Sequence, residues 1–142
     1  MIIKYEDEFS EWKGVIIMAI EKNKDRSYLF GRLLAVLDQT EEYIYNRVDS
    51  DEQRVTNSQK FWSSYTNLPA KTMQTLIKKT KNYERELRNA NPEYFYKLDK
   101  ERETIINLLN DNYLDSLDMN TSLSYYFIFG FYAEKQFLRI TK

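Results

Sequence analysis

The sequence contains neither cysteine nor histidine among its 142 residues. Without cysteine the chain has no disulfide and no thiolate metal ligand, which suits a reducing compartment. Without histidine it lacks the side chain whose ordinary pKa lies nearest neutrality, and with it the usual base of nucleophilic couples and the imidazole ligand of metal sites. These two absences remove the commonest kinds of catalytic and metal-binding chemistry.

Glycine and proline are also scarce, with three and two residues, which indicates a mostly helical chain with short connections. The longest apolar run, Tyr125 to Ala133, is far shorter than the roughly 20 residues that span a bilayer. The first residues lack the basic and apolar regions of a secretory signal. We therefore expect a cytoplasmic protein without a membrane segment, folded as a single domain over residues 1–142.

Apolar residues recur at three- and four-residue intervals along most of the chain, which is the pattern of amphipathic helices. A first helix is predicted over residues 9–20, ending near Asn23. A second is predicted to be capped by Asp25 and to reach about Arg47. Gly31 lies inside this second helix, where a glycine usually indicates either close packing or a tolerated cost in helix stability.

Proline and polar residues divide the middle of the chain. A third segment is predicted to be capped by Ser50 or Asp51 and to end before Pro69, which itself suits the first turn of a fourth helix. Asn91 and Pro92 then separate the fourth helix from a fifth. The predicted buried face of the third segment consists of Val55, Trp62 and Tyr65.

The last segment, after Asn120, is rich in aromatic residues. We interpret it as a buried helix, because no partner strand is visible elsewhere. Six aromatic residues in eight positions, from Tyr125 to Tyr132, exceed what one helix face can bury, so part of this surface is expected to contact another protein. The fold class is therefore an all-α compact bundle of five to six helices. The interface candidates are Tyr125, Tyr126, Phe129 and Tyr132.

Enzymatic function finds little support in the sequence. Acidic clusters could bind a hard cation or supply an acid-base pair. Aspartates at helix starts more often serve as caps, and no glycine-rich phosphate loop or dinucleotide fingerprint is present. We predict a non-enzymatic protein with no cofactor, metal or small-molecule substrate. The clusters are Asp49, Asp51 and Glu52, and Asp111, Asp115 and Asp118.

One segment has an unusual charge pattern. Residues 54–81 hold six basic and no acidic residues, although the whole chain has a net charge of -1. Long cations interspersed with short polar side chains suit a phosphate backbone, whose counterions they release. A lysine-rich helix face is also commonly no more than a solvated surface. The phosphate-contact candidates are Arg54, Lys60, Lys71, Lys78, Lys79, Lys81 and Arg85.

Aromatic residues interrupt this basic segment, and two roles remain open for them. Phe61, Trp62 and Tyr65 could stack on the bases of a single strand. Their helical spacing also suits the buried face of an ordinary helix.

Four stretches of the chain, in order, carry a family resemblance. They are MAIEKNKDRSYLFGRLLAVLDQTEE, DEQRVTNSQKFWSSYTNLPAKTMQTL, YFYKLDKERETIINLLND and FIFGFYAEKQF, within about residues 18–138. Their pattern resembles the C-terminal helical region of the type I-C CRISPR-associated large subunit. The residues that carry the first match are Tyr28, Gly31, Arg32, Leu33, Leu34, Ala35 and Leu37.

The resemblance implies a function. The chain is much shorter than a large subunit and begins with its own Met1, as does the small subunit that type I-C systems make from an internal start within this region. Such a subunit is a non-catalytic part of the Cascade surveillance complex, present in more than one copy. It contacts backbone and large subunits, and it lines the path of single-stranded DNA in the R-loop that guide RNA and target DNA form.

Two points qualify this expectation. The last helix has Phe131 and Tyr132 where the family usually shows a tyrosine pair, and Arg32 could serve either an interface or internal packing. The alternative hypothesis is a helical protein-protein interaction module whose lysines confer solubility and which binds no nucleic acid.

Overall fold

The structure, a computed structural model, describes residues 25–48, 55–112 and 120–141. Within these ranges the chain forms six helices and no strand, which confirms the predicted all-α bundle. The predicted helix over residues 9–20 and the candidates Ser50, Asp51 and Arg54 lie outside the described residues. The helices are α1 (Arg26–Val48), α2 (Asn57–Lys60), α3 (Trp62–Asn67), α4 (Pro69–Ala90), α5 (Pro92–Asn112) and α6 (Tyr126–Thr141).

Helix α1 is the centre of the bundle. It packs against α6, α4, α5 and α2, and every residue from Ser27 to Glu41 is buried. The Asp25 carboxylate accepts a hydrogen bond from the Tyr28 backbone N–H at 3.1 Å, so Asp25 caps the helix as predicted. Because neighbouring helices surround α1, both its apolar and its polar side chains are removed from water.

Helices α1 and α6 touch at the level of their backbones. A Cβ placed on Gly31 would lie 2.1 Å from the carbonyl oxygen of Phe127, and one on Gly130 would lie 2.1 Å from that of Tyr28. No other residue type fits at such distances without moving a helix. Of the two explanations for Gly31, the structure supports close packing, and Gly130 is its counterpart on the facing helix.

The third predicted segment is divided into two short helices. Thr56 and Gln59 form a reciprocal capping box, with bonds of 3.3 and 3.1 Å, so α2 begins after Thr56. The chain turns at Phe61 before α3. The prediction that Val55 faces the core is wrong, because Val55 precedes the cap and is 54% exposed.

Helices α4 and α5 complete the bundle and follow the predicted breaks. Pro69 occupies the first turn of α4, and Asn91 ends that helix before Pro92 begins the next. The two helices pack on each other and on α1. None of the helices in the described ranges is long and apolar enough to cross a bilayer.

Candidate nucleic-acid interface

Helix α4 presents a row of cations to solvent. Its opposite side is held in the core by Met73, Leu76 and Leu87, which are at most 6% exposed. Lys71 and Arg85 lie two seven-residue steps apart, with a rise of about 10 Å per step, and Lys78 lies between them. Lys79 and Lys81 flank this row. All five cations are exposed. The spacing of basic residues along α4 therefore gives the helix one basic side.

The short helices bring a further lysine to this side. The Lys79 ammonium lies 5.4 Å from the centre of the Phe61 ring, a cation-π contact that ties α4 to the turn between α2 and α3. Lys60 directly precedes Phe61 and is exposed. We define the basic face as Lys60, Lys71, Lys78, Lys79, Lys81 and Arg85.

Carboxylates near the basic face are engaged elsewhere or lie at its end. In the described part of the chain, no ion pair involves a cation of the basic face. Glu84 on α4 pairs with Arg102, whereas Glu86 is exposed beside Arg85. Phosphate groups would therefore meet cations that are not paired with any carboxylate in residues 25–48, 55–112 or 120–141.

Glu41 is a buried acid that interacts with Lys60 of the basic face. Burial raises its pKa, while hydrogen bonds from the backbone and side chain of Asn57 and the charge of Lys60 lower it. Glu41 accepts the Asn57 backbone N–H at 2.7 Å, which fixes the first turn of α2. This acid thus positions the helix that carries Lys60.

The aromatic residues within the basic segment have different roles. Tyr65 belongs to the core: it is fully buried, its hydroxyl donates to the Phe30 carbonyl oxygen at 2.6 Å, and burial raises its pKa well above the usual value. Phe61 and Trp62 are half-buried. The Trp62 ring meets Phe127 edge-on at 4.6 Å. The prediction of core packing therefore holds for Tyr65, and Phe61 and Trp62 keep part of their surface in solvent.

The predicted interface residues form an exposed surface on and just before α6. We call Tyr125, Tyr126, Phe129 and Tyr132 the aromatic face; their exposures are 65, 42, 57 and 62%. Tyr125 stacks on Tyr126 with ring centres 4.6 Å apart. The adjacent Phe127 and Phe131 point into the core, at 1 and 7% exposure. This face is available for contact with another molecule.

Arg32 is internal, which settles the question that its sequence position left open. Its Nε donates to Glu134 at 2.8 Å and its Nη2 donates to Glu101 at 2.9 Å. Arg32 is 2% exposed, and Glu134 is fully buried. Burial raises the pKa of Glu134 to about 8, although the Arg32 charge opposes this effect. Arg32 therefore joins α1 to α5 and α6 and is not a surface contact.

A second buried cation lies further along the same helices. Lys135 on α6 is 4% exposed and pairs with Asp38 at 2.9 Å and with Glu42, both on α1. It also donates to Gln39 at 2.8 Å. Burial opposes ionisation of Glu42, but the hydrogen bond and charge of Lys135 outweigh it and lower the Glu42 pKa. Neither ion network was predicted from the sequence.

The acidic clusters considered for metal binding lie almost entirely outside the described residues. No group of three acidic residues within the described ranges is arranged to hold a metal ion. Asp111 is exposed near the end of α5, and the remaining cluster members, Asp49, Asp51, Glu52, Asp115 and Asp118, lie outside the described residues.

One exposed cation near the basic face was missed. Arg88 lies one turn beyond Arg85 on α4, and its guanidinium is 4.7 Å from the centre of the Phe95 ring. The sequence signal for Arg88 was its position three residues after Arg85, because residues three apart are neighbours on a helix surface.

Comparison with known proteins agrees with the family resemblance. The family model described as CRISPR-associated protein (Cas_Csd1) matches residues 3–139. No curated protein matches the chain. Because the match covers nearly the whole sequence, the chain belongs to the CRISPR-associated protein (Cas_Csd1) family.

Proposed function

We propose that the chain is a non-catalytic small subunit of a type I-C CRISPR RNA-guided surveillance complex. In this role it bridges neighbouring subunits and stabilises the DNA strands of the R-loop. The single observation that carries the proposal is the basic face, with six exposed cations and no ion pair to a described carboxylate. Membership of a CRISPR-associated family supports the proposal, because proteins of such systems work together with nucleic acids.

The energetics of strand exchange make a modest contact sufficient. An RNA-DNA heteroduplex is about as stable as the DNA duplex it replaces, so protein contacts to the DNA backbone can shift the balance. Six contacts to single-stranded DNA give a logarithmic salt slope of about -4, or roughly a 300-fold loss between about 50 and 200 mM salt. The isolated chain therefore binds weakly at physiological salt, and its effect depends on being held in a complex.

The aromatic face supports the subunit-bridging part of the proposal. Tyr125, Tyr126 and Phe129 are large, exposed and contiguous, and interface cores are enriched in such residues. The second candidate function, a protein-interaction module without nucleic-acid binding, uses this face alone. It predicts that reversing charges on α4 has no effect on target-DNA opening.

Co-expression with the backbone and large subunits and a guide RNA tests the proposal. The tagged chain should copurify with the other subunits, and its omission should impair opening of target DNA. Failure to associate would contradict the small-subunit role. Association without any effect on DNA opening would favour the interaction-module function.

A pair of matched variants then separates nucleic-acid contact from general charge. Lys78→Glu/Lys81→Glu reverses two cations of the basic face and leaves the Lys79-Phe61 contact intact. Lys97→Glu/Lys100→Glu makes the same change in net charge at exposed positions of α5. Only the first pair should impair DNA opening, while both should retain helicity and copurification.

A further inference from the structure

A groove lies next to Lys60 of the basic face and is lined in part by Tyr132 of the aromatic face. Its volume is about 480 Å³, within the range of small-ligand sites. Residues of α1, of α2 and α3, and of α6 line it. Trp62 and Tyr132 provide aromatic surfaces, and Gln59, Glu42 and Arg139 provide polar groups.

The groove adjoins the basic face through consecutive residues. Gln59 and Trp62 line it, and the two residues between them are Lys60 and Phe61. Phe61 in turn lies under the Lys79 ammonium at 5.4 Å. A nucleic-acid strand that follows the cations of α4 would therefore reach the groove at Lys60, Phe61 and Trp62, where cations and aromatic rings lie side by side.

The chemistry of the groove favours a polar, planar occupant. Its floor includes Lys135 and Asp38, which are paired at 2.9 Å and almost fully buried. An apolar side chain from a protein partner would cover these charges without offering them a hydrogen bond, which is unfavourable. A nucleobase offers a flat face to aromatic rings and a polar edge to groups such as Glu42 and the Gln59 amide.

We propose that this groove binds one unpaired base of the single-stranded nucleic acid held by the basic face. This inference rests on the proposed function, because the basic face must hold the strand. Trp62 and Tyr132 contact the base, and Lys60 and Arg139 hold the adjacent phosphates. The Arg139 guanidinium pairs with Glu42 at 3.4 Å but is 61% exposed, so it can also meet a phosphate. Tyr132 is thereby assigned to the nucleic-acid site, whereas Tyr125, Tyr126 and Phe129 remain candidates for protein contact.

Tryptophan fluorescence gives a direct readout of base contact. The chain has two tryptophans, Trp12 and Trp62, so Trp12→Phe leaves Trp62 as the only reporter. This protein is titrated at low salt with oligothymidine and with an abasic oligomer of equal length. We expect oligothymidine to quench Trp62, and the abasic oligomer to bind through its phosphates without quenching.

Affinity measurements on the unaltered tryptophan background provide a second test. Tyr132→Ala should weaken oligothymidine binding by about 5- to 150-fold, the range for loss of one base-aromatic contact, and leave abasic binding unchanged. Tyr132→Phe should retain affinity. Tyr96→Ala is the matched control, since Tyr96 is 60% exposed on α5 and Tyr132 is 62% exposed.

The outcomes distinguish failure of the groove from failure of the proposed function. Equal affinity for the two oligomers, with no quenching and no effect of Tyr132→Ala, would overturn the base site while leaving phosphate binding intact. If neither oligomer binds even at low salt, both the base site and nucleic-acid binding by the basic face are overturned.

Discussion

Two groups of cations in this protein have opposite environments. Arg32 and Lys135 lie in the interior, where carboxylates from neighbouring helices surround them. The lysines of α4 lie in solvent, with no ion pair to any carboxylate that the structure describes. The first group joins α1 to its neighbours, while the second is exposed and, apart from the contact of Lys79 with Phe61, has no role in packing that the structure describes. Residue type alone therefore does not reveal function; the surroundings of the charge do.

The comparison predicts that substitutions of the two groups of cations affect different properties: the interior group affects stability, and the exposed group affects nucleic-acid binding. Removing one member of a buried ion pair costs about 3–5 kcal/mol, because the partner is left buried and uncompensated. Exposed substitutions away from special features usually change stability by less than about 0.5 kcal/mol. Variants of the interior should destabilise the protein, and variants of the basic face should leave its stability nearly unchanged but weaken nucleic-acid binding.

The largest effect is expected at the backbone contact that brings the interior charges together. Gly31→Ala gains up to about 1 kcal/mol of helix propensity. The new Cβ would, however, lie 2.1 Å from the Phe127 carbonyl oxygen, so α6 must move away from α1. We expect a net loss of at least about 3 kcal/mol in urea unfolding. Asn82→Ala, at an exposed position of α4, should not destabilise, and equal stability of the two variants would contradict the close crossing.

An effect of similar size is expected at Arg32. At about pH 9, above the Glu134 pKa of about 8, Arg32→Met should lower the free energy of unfolding by about 3–5 kcal/mol, because the ionised Glu134 and Glu101 lose their shared cation. Adding Glu134→Gln removes the fully buried carboxylate and should recover part of this loss. Chemical denaturation of the single and double variants measures the coupling. A double variant no more stable than Arg32→Met would show that the buried charge is not the cause.

A pH dependence should follow from Glu134. Burial raises its pKa to about 8 from an ordinary value of 4.5, so between these values the folded state holds a proton that the unfolded state has released. The free energy of unfolding should therefore fall as pH rises from about 4.5 through about 8. Glu134→Gln removes this titration, so its stability relative to the native protein should increase with pH.

Denaturation at about pH 5.5 and about pH 8.5 measures that difference. Glu103→Gln, at an exposed position of α5, is the control and should follow the native protein at both values. A native protein that becomes more stable across this range, relative to Glu134→Gln, would contradict the assigned direction of the pKa.

The smallest effect on stability is expected on the basic face. Lys78→Glu/Lys81→Glu should change the free energy of unfolding by less than about 1 kcal/mol. The same variant should reduce the magnitude of the logarithmic salt slope for single-stranded DNA by about 1.4, since two contacts are lost. Filter-binding titrations over a range of salt concentrations measure the slope. An unchanged slope would mean that these two lysines do not contact phosphates.

Much of the fold could be predicted because its boundaries are local. Pro69 and the Asn91-Pro92 pair end or begin helices through backbone restrictions that hold in any context. Gly31 indicated close packing, although its partner Gly130 could be identified only from the packed helices. The division at Phe61 was missed. The start of α2 was missed as well, although the capping-box pattern from Thr56 to Gln59 was present in the sequence.

The candidate site was predictable only in part. The exposed lysines follow from the two-sided pattern of α4, since its apolar residues fix the opposite side. The burial of Arg32 and Lys135 could not be predicted, because helical periodicity normally assigns a charged residue to the solvent side of a helix. The groove between Trp62 and Tyr132 joins residues far apart in sequence, so only the tertiary packing brings them together.

Opening of target DNA by reconstituted complexes tests the central proposal most directly. Complexes that contain Lys78→Glu/Lys81→Glu are compared with complexes that contain Lys97→Glu/Lys100→Glu, at equal occupancy of the small subunit. We predict slower or incomplete opening with the first pair and native behaviour with the second. Native opening with both pairs would contradict a role of the basic face in stabilising the R-loop.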